Sequence, residues 1–129
     1  MNLRNLLSLA CLSALCACSN AGASTLDAGE DLDCSVVLFY FKGLAEHLGR
    51  PANERHATMV IHEWYGARIR KAAPERWSDE EAMLAEAAPI LETIKAEPMA
   101  ARDELMTCTE RAVDDPSFDA FARSMPPTA

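Results

Sequence analysis

Apolar positions along this chain recur at three- and four-residue steps rather than in alternation, and that period predicts helices. Between Asp31 and Leu48, the residues Cys34, Val37, Phe41, Leu44 and Leu48 fall on one stripe. A first helix is predicted there, stopped by Gly49 and Pro51. The unbroken run Val36 to Phe41 also suits a buried strand, but its flanks continue the helical period. A second helix is predicted from about Pro51 to Lys71, with Ala57, Val60, Ile61, Trp64, Tyr65 and Ile69 on its apolar side. Arg68, Arg70 and Lys71 suit the negative end of its dipole. Gly66 inside it costs about 1 kcal/mol relative to alanine, which close approach of another helix is expected to offset.

Ser78-Asp79-Glu80-Glu81 reads as a capping box for a third helix, with Ser78 as N-cap, Glu81 reaching back and Trp77 just outside. Leu84, Ala87, Leu91 and Ile94 form the stripe that follows, to about Ala96. Pro89 is predicted to kink or break it, because proline lacks the N–H and clashes with the preceding turn. A fourth helix starts at Pro98 and carries Ala101, Leu105, Cys108 and Ala112 on one face. Asp115-Pro116 then reads as a cap and first-turn proline, and Phe118, Phe121, Ala122 and Met125 make a short fifth helix. The stretches from Glu30 to Lys71 and from Ser78 to Val113 are alanine-rich and glycine-poor, which favours helix over sheet. The expected fold class is all-α: a small bundle of four to five helices, one domain over residues 31–125, with a loose tail at 126–129.

The N-terminus follows a different pattern. Arg4 is the one charge before Asp27, and Leu6 to Cys16 is a continuous run of apolar and small residues. This is the layout of a secretory signal, and the run is well short of the roughly 20 residues a membrane-spanning helix needs. Leu15-Cys16-Ala17-Cys18 resembles the lipobox of bacterial lipoproteins, which implies that residues 1–17 are removed and that Cys18 is acylated. Ser19 after that cysteine then implies sorting to the outer membrane. The alternative is cleavage after Ala21-Gly22-Ala23, removing residues 1–23. Residues 18–30, polar and without period, are expected to be a flexible tether. Exported localisation follows, in the periplasm or at the outer membrane as a lipoprotein.

Cleavage at either place leaves Cys34 and Cys108 as the two thiols in an oxidising compartment, and such a pair is expected to form a disulfide. It would join the first and fourth predicted helices and stabilise the fold by roughly 4 kcal/mol through the unfolded chain. The competing reading is a metal or redox pair, but neither a Cys-X-X-Cys motif nor a ligand-spaced histidine accompanies these cysteines.

Charge narrows the partners. The net charge of -8 grows more negative once Arg4 is removed, and no cluster of lysine and arginine offers counterion release to a phosphate backbone. Nucleic acid is therefore not an expected partner. His62-Glu63 invites the zinc-protease pattern, but the second histidine would fall at Gly66. His47, His56 and His62 are scattered, and Met59, Met83, Met99 and Met106 lack the clustering of a copper site and are expected as gap fillers in the core. Acids such as Asp79, Glu80, Glu81, Asp114 and Asp115 fall where helix ends and solvent faces expect them. No metal, no other cofactor and no catalytic residue is expected.

An early cysteine, a central Trp64-Tyr65-Gly66-Ala67-Arg68 segment and a late cysteine, behind a signal, resemble small exported two-cysteine helical proteins of bacteria. The layout is also loosely similar to periplasmic acid-stress chaperones, which implies an analogy of fold and carries over no functional residue. Three functions remain open. The first is a non-catalytic binding or accessory module of the bacterial cell envelope, acting on an envelope protein. The second is a periplasmic acid-stress chaperone, and the third a small enzyme with a site at His56 or His62.

Overall fold

The computed structural model describes residues 25–77 and 79–127. The fold is all-α, with five helices: α1 (Asp31–His47), α2 (Ala52–Ala72), α3 (Glu80–Ala96), α4 (Pro98–Asp114) and α5 (Phe118–Ser124). The stretch expected to be a signal, Cys18, Ser78 and the last two residues lie outside the described residues. Among the described residues no helix is long and apolar enough to cross a membrane.

α1 is the axis of the bundle, packing on α2, α3 and α4. Its five consecutive residues Cys34 to Leu38 are all buried, which a single stripe does not explain. Cys34 and Leu38, one turn apart, face α2 and α4 in a cluster with Ile61, Trp64, Tyr65, Cys108 and Ala112. Val36 and Val37 face the other way, into a cluster with Leu26, Ile94 and Ala101. A helix buried on both sides needs apolar residues all round, so the run that also suited a strand is helix. Leu48, expected on the stripe, is 63% exposed beyond the end of α1, and Ala57 is also exposed on α2.

Cys34 and Cys108 lie at disulfide distance, their Cα atoms 5.5 Å apart, and join α1 to α4 as expected. Beside them the Tyr65 hydroxyl donates to the Cys108 carbonyl at 2.6 Å, and Trp64 stacks edge-on to Tyr65 and to Phe118 of α5.

Several local expectations are corrected. Of the kink or break expected at Pro89 the break is absent: α3 is one helix through that residue, which stands on the exposed face. The N-cap of α3 is Asp79, whose carboxylate accepts from the Ala82 N–H at 2.7 Å, one residue later than the capping-box reading. Asp115 does not open α5. Its carboxylate instead accepts from the Ser117 N–H and hydroxyl, at 2.8 and 2.6 Å, turning the chain before α5 begins at Phe118. Gly66 is buried, yet an added Cβ would meet Arg70 of the same helix rather than another helix. Within residues 25–30, Leu26 is buried in the second cluster, Ala28 N–H donates to Glu104 at 3.0 Å and its carbonyl accepts from Arg111 at 3.0 Å, while Thr25, Asp27, Gly29 and Glu30 are exposed.

Candidate functional site

α1 carries a second stripe that the sequence reading passed over. Leu32, Ser35, Val36 and Phe39 follow the spacing i, i+3, i+4, i+7 and so share one face. Opposite them α3 presents Met83, Leu84, Ala87 and Leu91, and between the two helices lies an apolar cleft of about 90 Å³. Trp77, from the α2–α3 loop, and His62, from α2, complete its wall. Phe39 and Leu84 stand at the lip, 54% and 53% exposed, where most large apolar side chains of the bundle are covered. A shallower groove of about 400 Å³ shares Phe39 and Leu91 with the cleft and continues past Tyr40 and Leu44 to His47.

His62 is held rather than free. Its Nδ1 lies 3.0 Å from the Ser35 carbonyl oxygen and 3.5 Å from the Ser35 hydroxyl. A carbonyl oxygen only accepts, so Nδ1 carries the hydrogen and donates to it. The ring also meets that of Phe39, tilted by 47° with centroids 5.8 Å apart.

The densest polar cluster lies elsewhere, over the disulfide. Asp31 accepts from Arg68 at 3.1 Å and from Arg111, and Arg68 also approaches Asp115 at 3.6 Å. Each guanidinium stacks on an aromatic ring, Arg68 4.7 Å from Trp64 and Arg111 5.3 Å from Tyr65. Burial pushes the Tyr65 hydroxyl above its ordinary value, with Arg111 pulling the other way. The Ser117 hydroxyl and N–H, then Arg68 and Arg111, hold Asp115 below the usual carboxylate range. Every charge in this cluster is matched, so it fixes the start of α1 to α2, α4 and the turn before α5. An open depression of about 310 Å³ beside it is lined by Asp31, Asp33, Arg76 and Arg111, charges of both signs that focus no single ligand class.

The remaining candidates are dispersed. His47 is exposed at the end of α1, and His56 is half-buried on α2 with Nδ1 lacking a partner. Among the described residues no three histidine, cysteine, aspartate or glutamate side chains could hold a metal ion together. The methionines are spread over three helices, and two of them correct the core expectation: Met99 and Met106 are 67% and 57% exposed on α4. Met83 lines the cleft. Cys34 and Cys108 are fully buried and serve the fold.

Comparison with protein families, curated proteins and solved structures finds no match to this chain. Any functional reading therefore rests on the chain's own geometry.

Proposed function

We propose that the protein is a non-catalytic binding or accessory module of the bacterial cell envelope, exported by its N-terminal signal, which takes an apolar segment of a partner protein into the cleft between α1 and α3. The observation that carries this reading is the exposure of Phe39 and Leu84 over a concave, apolar floor, since a folded domain leaves such a patch open where something covers it. The disulfide and the Asp31 cluster support it by fixing α1, one wall of the cleft, against α2 and α4.

The test is site-specific photo-crosslinking in the envelope, with the reactive side chain at position 39 and, as a control, at Val113, 57% exposed on α4 and not among the cleft-lining residues. A discrete adduct is expected at 39 and not at 113, and Leu84→Glu is expected to abolish it while leaving the helical circular dichroism unchanged. Equal adducts at the two positions would sink the cleft reading. A measurable turnover lost on changing a single polar residue would sink the non-catalytic one.

A further inference from the structure

The disulfide that staples α1 to α4 is covered on one side by residues 25–30, the stretch of chain that leads into α1. Ala28 packs against the cluster that holds Cys34 and Cys108, and its carbonyl oxygen lies 3.4 Å from Cys34 Sγ. A disulfide sulfur carries no hydrogen, so this is a packing contact. Arg111 reaches both groups, its Nη1 3.0 Å from the same carbonyl oxygen and 3.9 Å from Sγ. Of the described residues packed in that cluster, Ala28 alone lies outside a helix. With this cover in place Cys34 is fully buried.

Side chains, rather than a helical ladder, hold this stretch down. The N–H groups of Asp27, Ala28 and Gly29 donate in turn to Asp33 at 2.8 Å, to Glu104 at 3.0 Å and to the Asp27 carboxylate at 2.8 Å. Leu26, buried among Val36, Val37, Ile94 and Ala101, is its apolar anchor. A segment held by so few bonds opens locally while the rest of the fold stays closed. Lifting it would return Glu104 to water and carry Asp27 away. Burial, then the charges of Asp27 and Asp33, raise the Glu104 pKa in the covered state, against the bond from Ala28 N–H, while Arg111 stays engaged with Asp31. The covered state is therefore favoured while Glu104 is protonated, and that advantage is lost as pH rises through the raised value. We infer that residues 25–30 form a strap that controls reductant access to the Cys34–Cys108 disulfide, closing more firmly when Glu104 is protonated and opening without unfolding of the bundle.

The test is reduction of the oxidised protein by a water-soluble trialkylphosphine, in mild acid and at neutral pH. The phosphine attacks one sulfur, the S–S bond breaks and the other sulfur leaves as thiolate. Water then takes up the phosphorus, so the phosphine ends as its oxide and both cysteines as thiols. Each rate is divided by that of an open small-molecule disulfide at the same pH, which removes the titration of the phosphine. Amide hydrogen-exchange protection, read by NMR, reports opening of the strap at Ala28 and of the core at Tyr65. Reduction is expected to follow Ala28, to outpace opening at Tyr65 and to be slower in mild acid. Glu104→Gln, which keeps an acceptor for Ala28 without the charge, is expected to be slow at both pH values. Leu26→Ala is expected to speed reduction at both by at least about tenfold, the cost of truncating a buried leucine, and to deprotect Ala28 more than Tyr65. Circular dichroism checks that both variants fold. Reduction that only keeps pace with Tyr65 would mean that the sulfurs are reached by unfolding of the bundle, and the strap is overturned. A pH step undiminished in Glu104→Gln would overturn it as well.

Discussion

At Gly66 a methyl group has somewhere to go. Its Cβ would lie 3.3 Å from Nη1 of Arg70, the far end of a flexible, exposed side chain, with no rigid neighbour nearby. Gly66→Ala is expected to stabilise the protein by up to about 1 kcal/mol, the difference in helix propensity, measured as a raised urea midpoint at unchanged slope. A lowered midpoint would mean that Arg70 cannot move aside. The sequence made the residue visible but not its neighbour, because a glycine within an apolar stripe suggests close packing without saying by what. Cys34 and Cys108 were legible because the expected signal, cleaved at either place, leaves them as the two free thiols, a count that requires no coordinates. His62 was legible as a failed metal motif and as a candidate enzyme site, not as a partner of Ser35. Its bond to Ser35 links positions far apart in the chain, and no local spacing encodes that.

Helices were readable in outline, and their faults lie where two faces or two caps compete. On α1 the stripe expected through Cys34 and Val37 is divided between two clusters, and the face through Leu32, Ser35, Val36 and Phe39, which makes the cleft, was hidden inside an apolar run that satisfies every period at once. At the start of α3, serine and aspartate stand side by side, both able to cap. Asp79 takes the role, as its bond to the Ala82 N–H records. Pro89 failed to break α3 because the Ala85 carbonyl it leaves without a donor lies on the exposed face, where water supplies one. The Thr93 hydroxyl donates back to the Pro89 carbonyl at 3.1 Å in the next turn. Pro89→Ala restores the missing backbone bond and is expected to stabilise the protein by up to about 3 kcal/mol. Chemical denaturation checks this, and an unchanged midpoint would mean that the proline is already offset by its restriction of the unfolded chain.

For the molecule as a whole, the pH dependence of stability follows from carboxylates shifted in opposite directions. Burial raises the pKa of Glu104 from its ordinary value of 4.5, against the opposing bond from Ala28 N–H, and Asp27 and Asp33 add to the rise. The folded protein then holds that proton more tightly than the unfolded chain, so stability increases as pH falls from neutral towards the ordinary value. Asp115 and Glu86 are shifted down, Asp115 by Ser117 and Glu86 chiefly by its bond to Arg76, so their contributions are lost only as pH drops below the ordinary carboxylate values. The expected profile is a gain in mild acid followed by a loss in strong acid. Glu104→Gln keeps an acceptor for Ala28 and removes the buried charge. It is expected to be at least as stable as the wild type at neutral pH and to lack the mild-acid gain, as read from urea midpoints across pH. A wild-type profile that falls steadily from neutral pH would contradict this. Under the expected profile an acid-stress chaperone would loosen only in the strongly acid range, where client aggregation assays should be run.

The staple between α1 and α4 also sets how the molecule bears a load. The covalent loop it closes spans 74 positions and contains every cleft residue except Leu32. If the chain is pulled from its two ends, tension passes through the sulfurs and bypasses α2 and α3. Only the segments outside Cys34 and Cys108 can lengthen: the stretch about Ala28 that Glu104 and Arg111 grip, and the chain that follows through the end of α4 and α5. A domain hung by its N-terminus from a membrane would give at that grip first, with both walls of the cleft still in place.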